Sequence, residues 1–494
     1  MQKIFYLFVL FSGLNIQAQE YNIVDFGAKP EKGFLNTEPI QSAIDKCSET
    51  GGRVVIPADT FMTGSLEMKD NVHIYLSNGA VILGSPDPDD YIEYEHQFPA
   101  YTNFYQNCAL LFGRNVKNIV IEGHGMIDLN GGSPKFSYTS LEEWRSSQEE
   151  LKRPYGLYFI RCENVKISGL KLVNAAFWMQ HYLECKNIII KDLDVINHAN
   201  YNGDGMDINN CKDVIIHGCR ISGGDDAICL KSTSYSYSEN ITISDCILRS
   251  HCNTFKIGTE THGAIKNVLL SNCIMGAAKH KKLDGFWDVG ISGISLQSND
   301  GAVVENITIT NVTIDSMMAP FFIRLQDRGR KVEESQEDPP VGTLRNIRIA
   351  NVTATNMTAM ASSITGVPGH FPENIEFENV SIHTVGGGTK AEVDSEVPEL
   401  NGSYPDAYMF KTDLPGYGFF IRHVKNIKFR NVSITVGSDD ARHGIVLEDV
   451  RGGYFSELFL NGKNSRFSAI KKTDSNNVIF KDILFKGHPV KMNE

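Results

Sequence analysis

The chain has 494 residues, 41% hydrophobic and 21% charged, with 43 glycines, 10 cysteines and a formal net charge of −12. The acidic balance argues against nucleic acid as a partner, and an acidic ligand would need cations gathered locally. The length would ordinarily imply two or more domains, but a repeat fold grows by adding turns, so one long domain is compatible with it.

The first stretch, MQKIFYLFVLFSGLNIQAQE, carries Lys3, an apolar run from Ile4 to Leu14, and Ala18 ahead of Gln19. This is the build of a secretory signal peptide over residues 1–18, too short to span and anchor. Export to the periplasm or the extracellular space is expected, with no later stretch apolar enough for a membrane span. Residues 19–52 read as strand, loop, helix and loop. Asn36 or Thr37 caps the helix, Ile40, Ala43, Ile44 and Cys47 form its apolar face, and Gly51-Gly52 stops it. Such an element caps the open end of a repeat array, whose first coil would otherwise expose apolar core.

From Asn118 one phrase keeps returning, as in NVKISGLKLV, NIIIKDLDVI and NITITNVTID. It opens at Asn118, Asn164, Asn187, Asp213, Asn240, Asn267, Asn306, Asn346, Asn374, Asn426 and Asn477. Most steps are one or two units of 23 to 28 residues with insertions. Alternating Val and Ile without helical periodicity, and Asn at a fixed corner, predict an all-β fold, a parallel β-helix over residues 19–494 as a single domain. Stacked coils would let the Asn side chains form a ladder, and the Asn-x-Ser/Thr triplets read as corner chemistry instead of glycan sites.

Cys162, Cys185 and Cys211 share one position in the repeat, and Cys219, Cys246 and Cys273 share another. Ladders of this kind suggest free thiols stacked in a core, with disulfides between rungs as the alternative. Two insertions, 130–158 and 383–418, stand outside the period and are expected to border a binding face.

The acids concentrate between Asn202 and Ser232, as Asp204 with Asp207 and Asp225 with Asp226, each pair set among glycines. Gly203, Gly205, Gly223 and Gly224 would let the backbone bend or a substrate approach closely. Clustered carboxylates repel, so one should hold a proton near neutrality beside an ionised partner, the equipment of glycoside hydrolysis. A plain turn or a calcium loop is the competing reading of either pair alone. Asp204 and Asp225 are about one coil apart and should share one cleft, with their carboxyls no more than about 10 Å apart. The coil before brings Trp178 and His181 to the equivalent edge, where Trp178 serves either as core or as a sugar platform. Lys256, between Phe255 and Ile257, should point outward beside the acids, with Lys231 on the same coils.

Together GGRVVIPADTFMTGSL, GHGMIDLNG, AFWMQHYLE, NGDGMD and GGDDAICLKS resemble glycoside hydrolase family 28, the polygalacturonases and their relatives, over nearly the whole mature chain. The resemblance implies a right-handed β-helix and an inverting hydrolysis of a pectic polysaccharide or oligosaccharide by a monomer, without cofactor or metal. In it Asp225 is the general acid, Asp204 and Asp226 hold and deprotonate the water, and Asn202 and Asp207 support them. Two family motifs differ. Gly-His-Gly reads Cys252-Asn253-Thr254, and Arg-x-Lys reads Ser295-Leu296-Gln297. The family uses those cations on the substrate carboxylate, so the sugar, rhamnose or galactose included, stays open. Trp178, His181, Lys231, Asn253, Lys256 and Arg324 are the further candidates for substrate binding, with Arg328 and Arg330 beyond Arg324 if their loop folds back. Rival readings are a calcium-dependent polysaccharide lyase, against which no basic cluster is expected beside the acids, and a non-catalytic glycan-binding β-helix.

Overall fold

Asparagine turns the chain at each coil. In the computed structural model, which describes residues 19–138, 140–146, 151–280, 282–283, 285–410, 414–462 and 469–490, the Asn opening each repeat phrase has φ between 53° and 61°. That left-handed conformation costs Asn less than other side-chain-bearing residues. Its amide then reaches one coil back: Asn164 donates to Asn118 at 2.9 Å, Asn187 to Asn164 at 3.0 Å and Asn306 to Asn267 at 3.1 Å. Asp213 takes one rung as acceptor from Asn240. A second ladder, unforeseen as such, runs from Asp245 through Asn272, Asn311, Asn351 and Asn379 to Asn431 at the next corner.

Between corners the strands pair in parallel, apart from the antiparallel contact of His488–Pro489 at the C-terminal end. The register places Val165, Ile188, Val214, Ile241, Val268, Ile307, Ile347, Ile375 and Ile427 in one column. Each is at most 2% exposed. Branched side chains stacked at coil spacing fill the interior, and one hydrophobic core extends from Tyr21 to Ile483. The chain is a right-handed parallel β-helix. One coil is Met206–Asn209, Lys212–His217 and Arg220–Gly223, and the next is Ile228–Ser232, Tyr237–Ser244 and Ile247–Ser250.

The helix α1, Thr37–Thr50, closes the N-terminal end with Ile40, Ala43, Ile44 and Cys47 fully buried. Asn36 sits at its N-cap, where its carbonyl accepts from Ile40 N at 3.0 Å but its side chain makes no capping bond; the side-chain amide instead ties Lys29, Phe34 and Met62 together. The ten cysteines are free and buried. In the second ladder each thiol donates to the carbonyl two residues back, Cys219 to His217, Cys246 to Ser244 and Cys273 to Ser271. The expected leader, residues 1–18, lies outside the described residues.

Both insertions contain helical turns that the repeat could not reveal, α2 at Leu141–Ser146 and α3 at Lys390–Val393. The second insertion is held down by buried side chains of the coils. Arg422 donates to the carbonyls of Val397 and Pro398, Arg324 to that of Glu399, and Gln297 to that of Pro405. Both insertions thereby come to the same side of the solenoid as the acidic turns.

Candidate active site

Two short turns, stacked without room for a Cβ, build the acid cluster. A Cβ on Gly203 would meet the Asn197 carbonyl oxygen at 2.5 Å, and one on Gly205 would meet Ile221 Cγ2 at 2.3 Å. Neither glycine has a left-handed backbone. They are required for close stacking of coils and not for a left-handed bend. Gly224 N donates to Gly203 O at 3.0 Å and Gly205 N to Asp226 O at 2.9 Å. Buried Asn197 donates to the Asp204 carbonyl at 3.0 Å, and Ser250 Oγ to that of Asp225. The register pairing Met206 with Ile228, carried two residues back, sets Asp204 beside Asp226 and not beside Asp225.

Asp204, Asp225 and Asp226 each offer a carboxylate oxygen within 4.8 Å of the others. Asp226 is the most tightly held. Its Oδ1 accepts from Asn253 N at 3.1 Å and Asn253 Nδ2 at 2.7 Å, and its Oδ2 from Lys256 Nζ at 2.8 Å. Asp204 Oδ1 is buried with no hydrogen-bond partner among the described residues. Burial, reinforced by the neighbouring acids, pushes the Asp204 carboxyl well above the usual range. Burial and the Asp226 charge push Asp225 up to about 6, against the pull of Lys256.

These acids open into a cleft of about 650 Å³. Of the residues expected from sequence, Asp204, Asp225, Asp226, Asn202, Trp178, Lys231 and Lys256 line it. Asn253 touches Asp226 from the next coil. Asp207 and His181 lie beneath, in one register column with Cys229 and Lys256. Asp207 is 3.6 Å from Lys231 Nζ, which donates to Glu260 Oε2 at 2.8 Å. His181 stacks on Tyr158 and contacts Asn209 through Nε2. Trp178 is 4% exposed, stacked on Phe177, with the Lys231 ammonium 4.7 Å from its ring centre, so its ring is packed more than presented. Arg324 does not reach the cleft: it is fully buried, bonded to Thr365, Gly366 and Glu399.

Several lining residues had no signal in the repeat. Arg153, in the first insertion, donates to Asn202 Oδ1 at 2.9 Å and to the Tyr201 carbonyl at 2.9 Å, and Trp144 Nε1 reaches the same Asn202 oxygen at 3.2 Å. Tyr404 and Tyr408 arrive on the second insertion, and Tyr101 and Tyr105 on a loop before the repeat. Arg328 and Arg330 line the cleft, as their loop folds back. Around the wall stand six cations, Arg145, Arg153, Lys231, Lys256, Arg328 and Arg330, against four carboxylates, Asp204, Asp225, Asp226 and Glu260. The expectation of no basic cluster beside the acids is therefore wrong: Lys231 and Lys256 stand on the coil strands, and Arg145, Arg153, Arg328 and Arg330 join them from loops and insertions outside the aligned strands. Where the Arg-x-Lys motif is missing, Leu296 is core and Gln297 bonds Ser295 and Pro405.

A cluster of three carboxylates, two of them pushed above the usual carboxylate range by burial and by one another, in a cleft on a parallel β-helix defines a carbohydrate-active enzyme of the glycoside hydrolase class. Residues 50–400 match the family described as Glycosyl hydrolases family 28, and the chain belongs to that family. It is 23% identical over 394 residues to a probable polygalacturonase of Vitis vinifera, covering 76% of each chain. It is 26% identical over 304 residues to the exo-poly-alpha-D-galacturonosidase of Dickeya chrysanthemi, covering 51% of this chain and 50% of that one. The family 28 exopolygalacturonase of Yersinia enterocolitica superposes with a TM-score of 0.66 at 20% identity, covering 93% of this chain and 78% of that one.

Proposed function

We propose that this family 28 hydrolase cleaves a pectic chain carrying uronic acid, with Asp225 as general acid and Asp204 and Asp226 on the attacking water. The convergence of the three carboxylates in a cleft ringed by cations carries the reading. Asp225 donates its proton to the glycosidic oxygen as the anomeric C–O bond breaks. A water held by Asp204 and Asp226 gives up a proton to the Asp226 carboxylate, ion-paired with Lys256, as its oxygen bonds to the anomeric carbon. The ionic pair with Lys256 and the two bonds from Asn253 keep the Asp226 carboxylate oriented through this step. Arg153 and Trp144 fix Asn202 at the rim.

Inversion comes from the family resemblance. The 4.8 Å limit between nearest oxygens is shorter than the roughly 6.5–9.5 Å of a simple inverting pair, so distance does not carry it. Proton NMR of the first product formed from a defined pectic oligosaccharide tests it, and a product of retained configuration overturns inversion.

The excess of six cations over four carboxylates, in a chain of net charge −12, favours an acidic sugar over rhamnose or galactose. The same reading takes residues 19–494 as one monomeric domain, exported after loss of residues 1–18. Its support is the leader-like sequence and one core running from Tyr21 to Ile483. Among the described residues no helix is long and apolar enough to cross a membrane.

A further inference from the structure

Of the six cations on the cleft wall, four have partners that fix them. Lys256 binds Asp226, and Lys231 binds Glu260. Arg330 binds Asp300 and Glu260, and Arg153 the carbonyls of Tyr201 and Ala176 besides Asn202. Arg145 stands exposed on the short helix α2. Arg328 is different. Its Nη1 is buried and has no hydrogen-bond partner among the described residues, although the side chain lines the same cleft as Asp225.

The loop that carries it is held rigid. Arg328 N and Gly329 N both donate to the Asn299 carbonyl, at 2.9 and 3.2 Å. Asn299 in turn donates to Thr259 O at 2.9 Å, and Gln326 donates to the carbonyls of Leu400 and Ser403 in the second insertion. The guanidinium lies over Tyr404, 5.1 Å from the ring centre. A guanidinium over an aromatic ring keeps its in-plane N–H groups for an acceptor, and a rigid loop removes most of the ordering cost of binding one.

We propose that Arg328 is the specificity-determining residue that binds the carboxylate of a uronic acid unit in this cleft, in place of a cation that Ser295-Leu296-Gln297 do not supply. The assignment rests on the functional reading above, in that the cleft is the one holding the pectic chain. It places the carboxylate contact on a loop three coils beyond Asp225 and Asp226, pinned to the second insertion.

The test is binding, made with the Asp225→Asn chain so that hydrolysis does not interfere. Titration calorimetry with a defined oligogalacturonate and with its fully methyl-esterified counterpart should show the free acid preferred. Adding Arg328→Gln should weaken the free acid about 10- to 100-fold and leave the ester unchanged, because a charge-assisted bidentate contact is lost. Arg328→Lys should restore part of the preference. Equal weakening of both ligands, an undiminished preference for the acid, or no preference before substitution would each overturn the assignment. Turnover by the unsubstituted chain is a separate readout: hydrolysis without an Arg328-dependent preference defeats this assignment alone. An Arg328-dependent preference without hydrolysis supports it and defeats the hydrolytic reading.

Discussion

Lys256 Nζ lies 2.8 Å from Asp226 Oδ2, and both side chains are buried. The lysine comes from the coil after the one that carries the aspartate, in the strand Asn253–Thr261. Buried pairs tolerate the loss of one partner badly, because the other is left as an uncompensated charge. Lys256→Met should therefore lower stability by about 3–5 kcal/mol. It should also raise the pH at which Asp225 loses its proton, since Lys256 now pulls that value down. Thermal unfolding checks the first effect and the alkaline limb of the pH–rate profile the second.

The alkaline limb itself follows from Asp225. Burial and the Asp226 charge raise its carboxyl to about 6, and a general acid works only while protonated. Hydrolysis should fall as pH rises through about 6, read as kcat/KM against pH. A limb well above pH 8 would point to another acid.

The same shift has a stability consequence of opposite benefit. The folded-state value of Asp225 lies above the usual unfolded value of about 4, so ionisation is penalised in the folded state. The penalty is absent below about pH 4, accumulates between about 4 and 6 and persists above. Asp225→Asn should thus raise Tm at pH 8, by the equivalent of roughly 1–3 kcal/mol, and change it little at pH 4. Calorimetric scans at the two pH values decide it.

The corner ladders make a prediction remote from the site. Asn306 has φ 61°, donates to Asn267 and accepts from Asn346. Asn306→Ala loses both bonds and meets left-handed strain, and should cost about 1–3 kcal/mol, whereas Asn306→Gly should cost less because glycine accepts that φ freely. Urea unfolding of the two variants would show the order, and a reversed order contradicts the account.

The solenoid was legible because its constraints repeat: Asn at each corner, Val and Ile between, thiols at fixed positions. The acids were legible because two carboxylate pairs one coil apart must share a side. What stayed hidden lies outside the period. Arg153 and Trp144 reach Asn202 from an insertion whose path no periodicity describes. Arg324 sits on a strand in register with Gln297, and looked like a cleft residue, yet its guanidinium holds the carbonyls under the second insertion. That Gly203 and Gly205 answer to crowding between coils stayed hidden, since such crowding leaves no trace in a single strand's sequence.

The lyase reading differs in demanding a calcium ion beside the acids. Lys256 already supplies a countercharge to Asp226, and hydrolysis by the three acids needs no metal. Chelation with EDTA should leave turnover unchanged, and the products should show no ultraviolet absorbance of an unsaturated sugar. Loss of activity restored by calcium would count against the hydrolytic assignment.

The central claim is that Asp204, Asp225 and Asp226 together hydrolyse a pectic chain, and it is tested most directly by product analysis of defined pectic oligosaccharides incubated with the protein and its Asp225→Asn variant. The account predicts saturated shorter products from the unsubstituted chain and a loss of about 10²- to 10⁴-fold in turnover for the variant, with folding intact. Undiminished turnover by Asp225→Asn would contradict it.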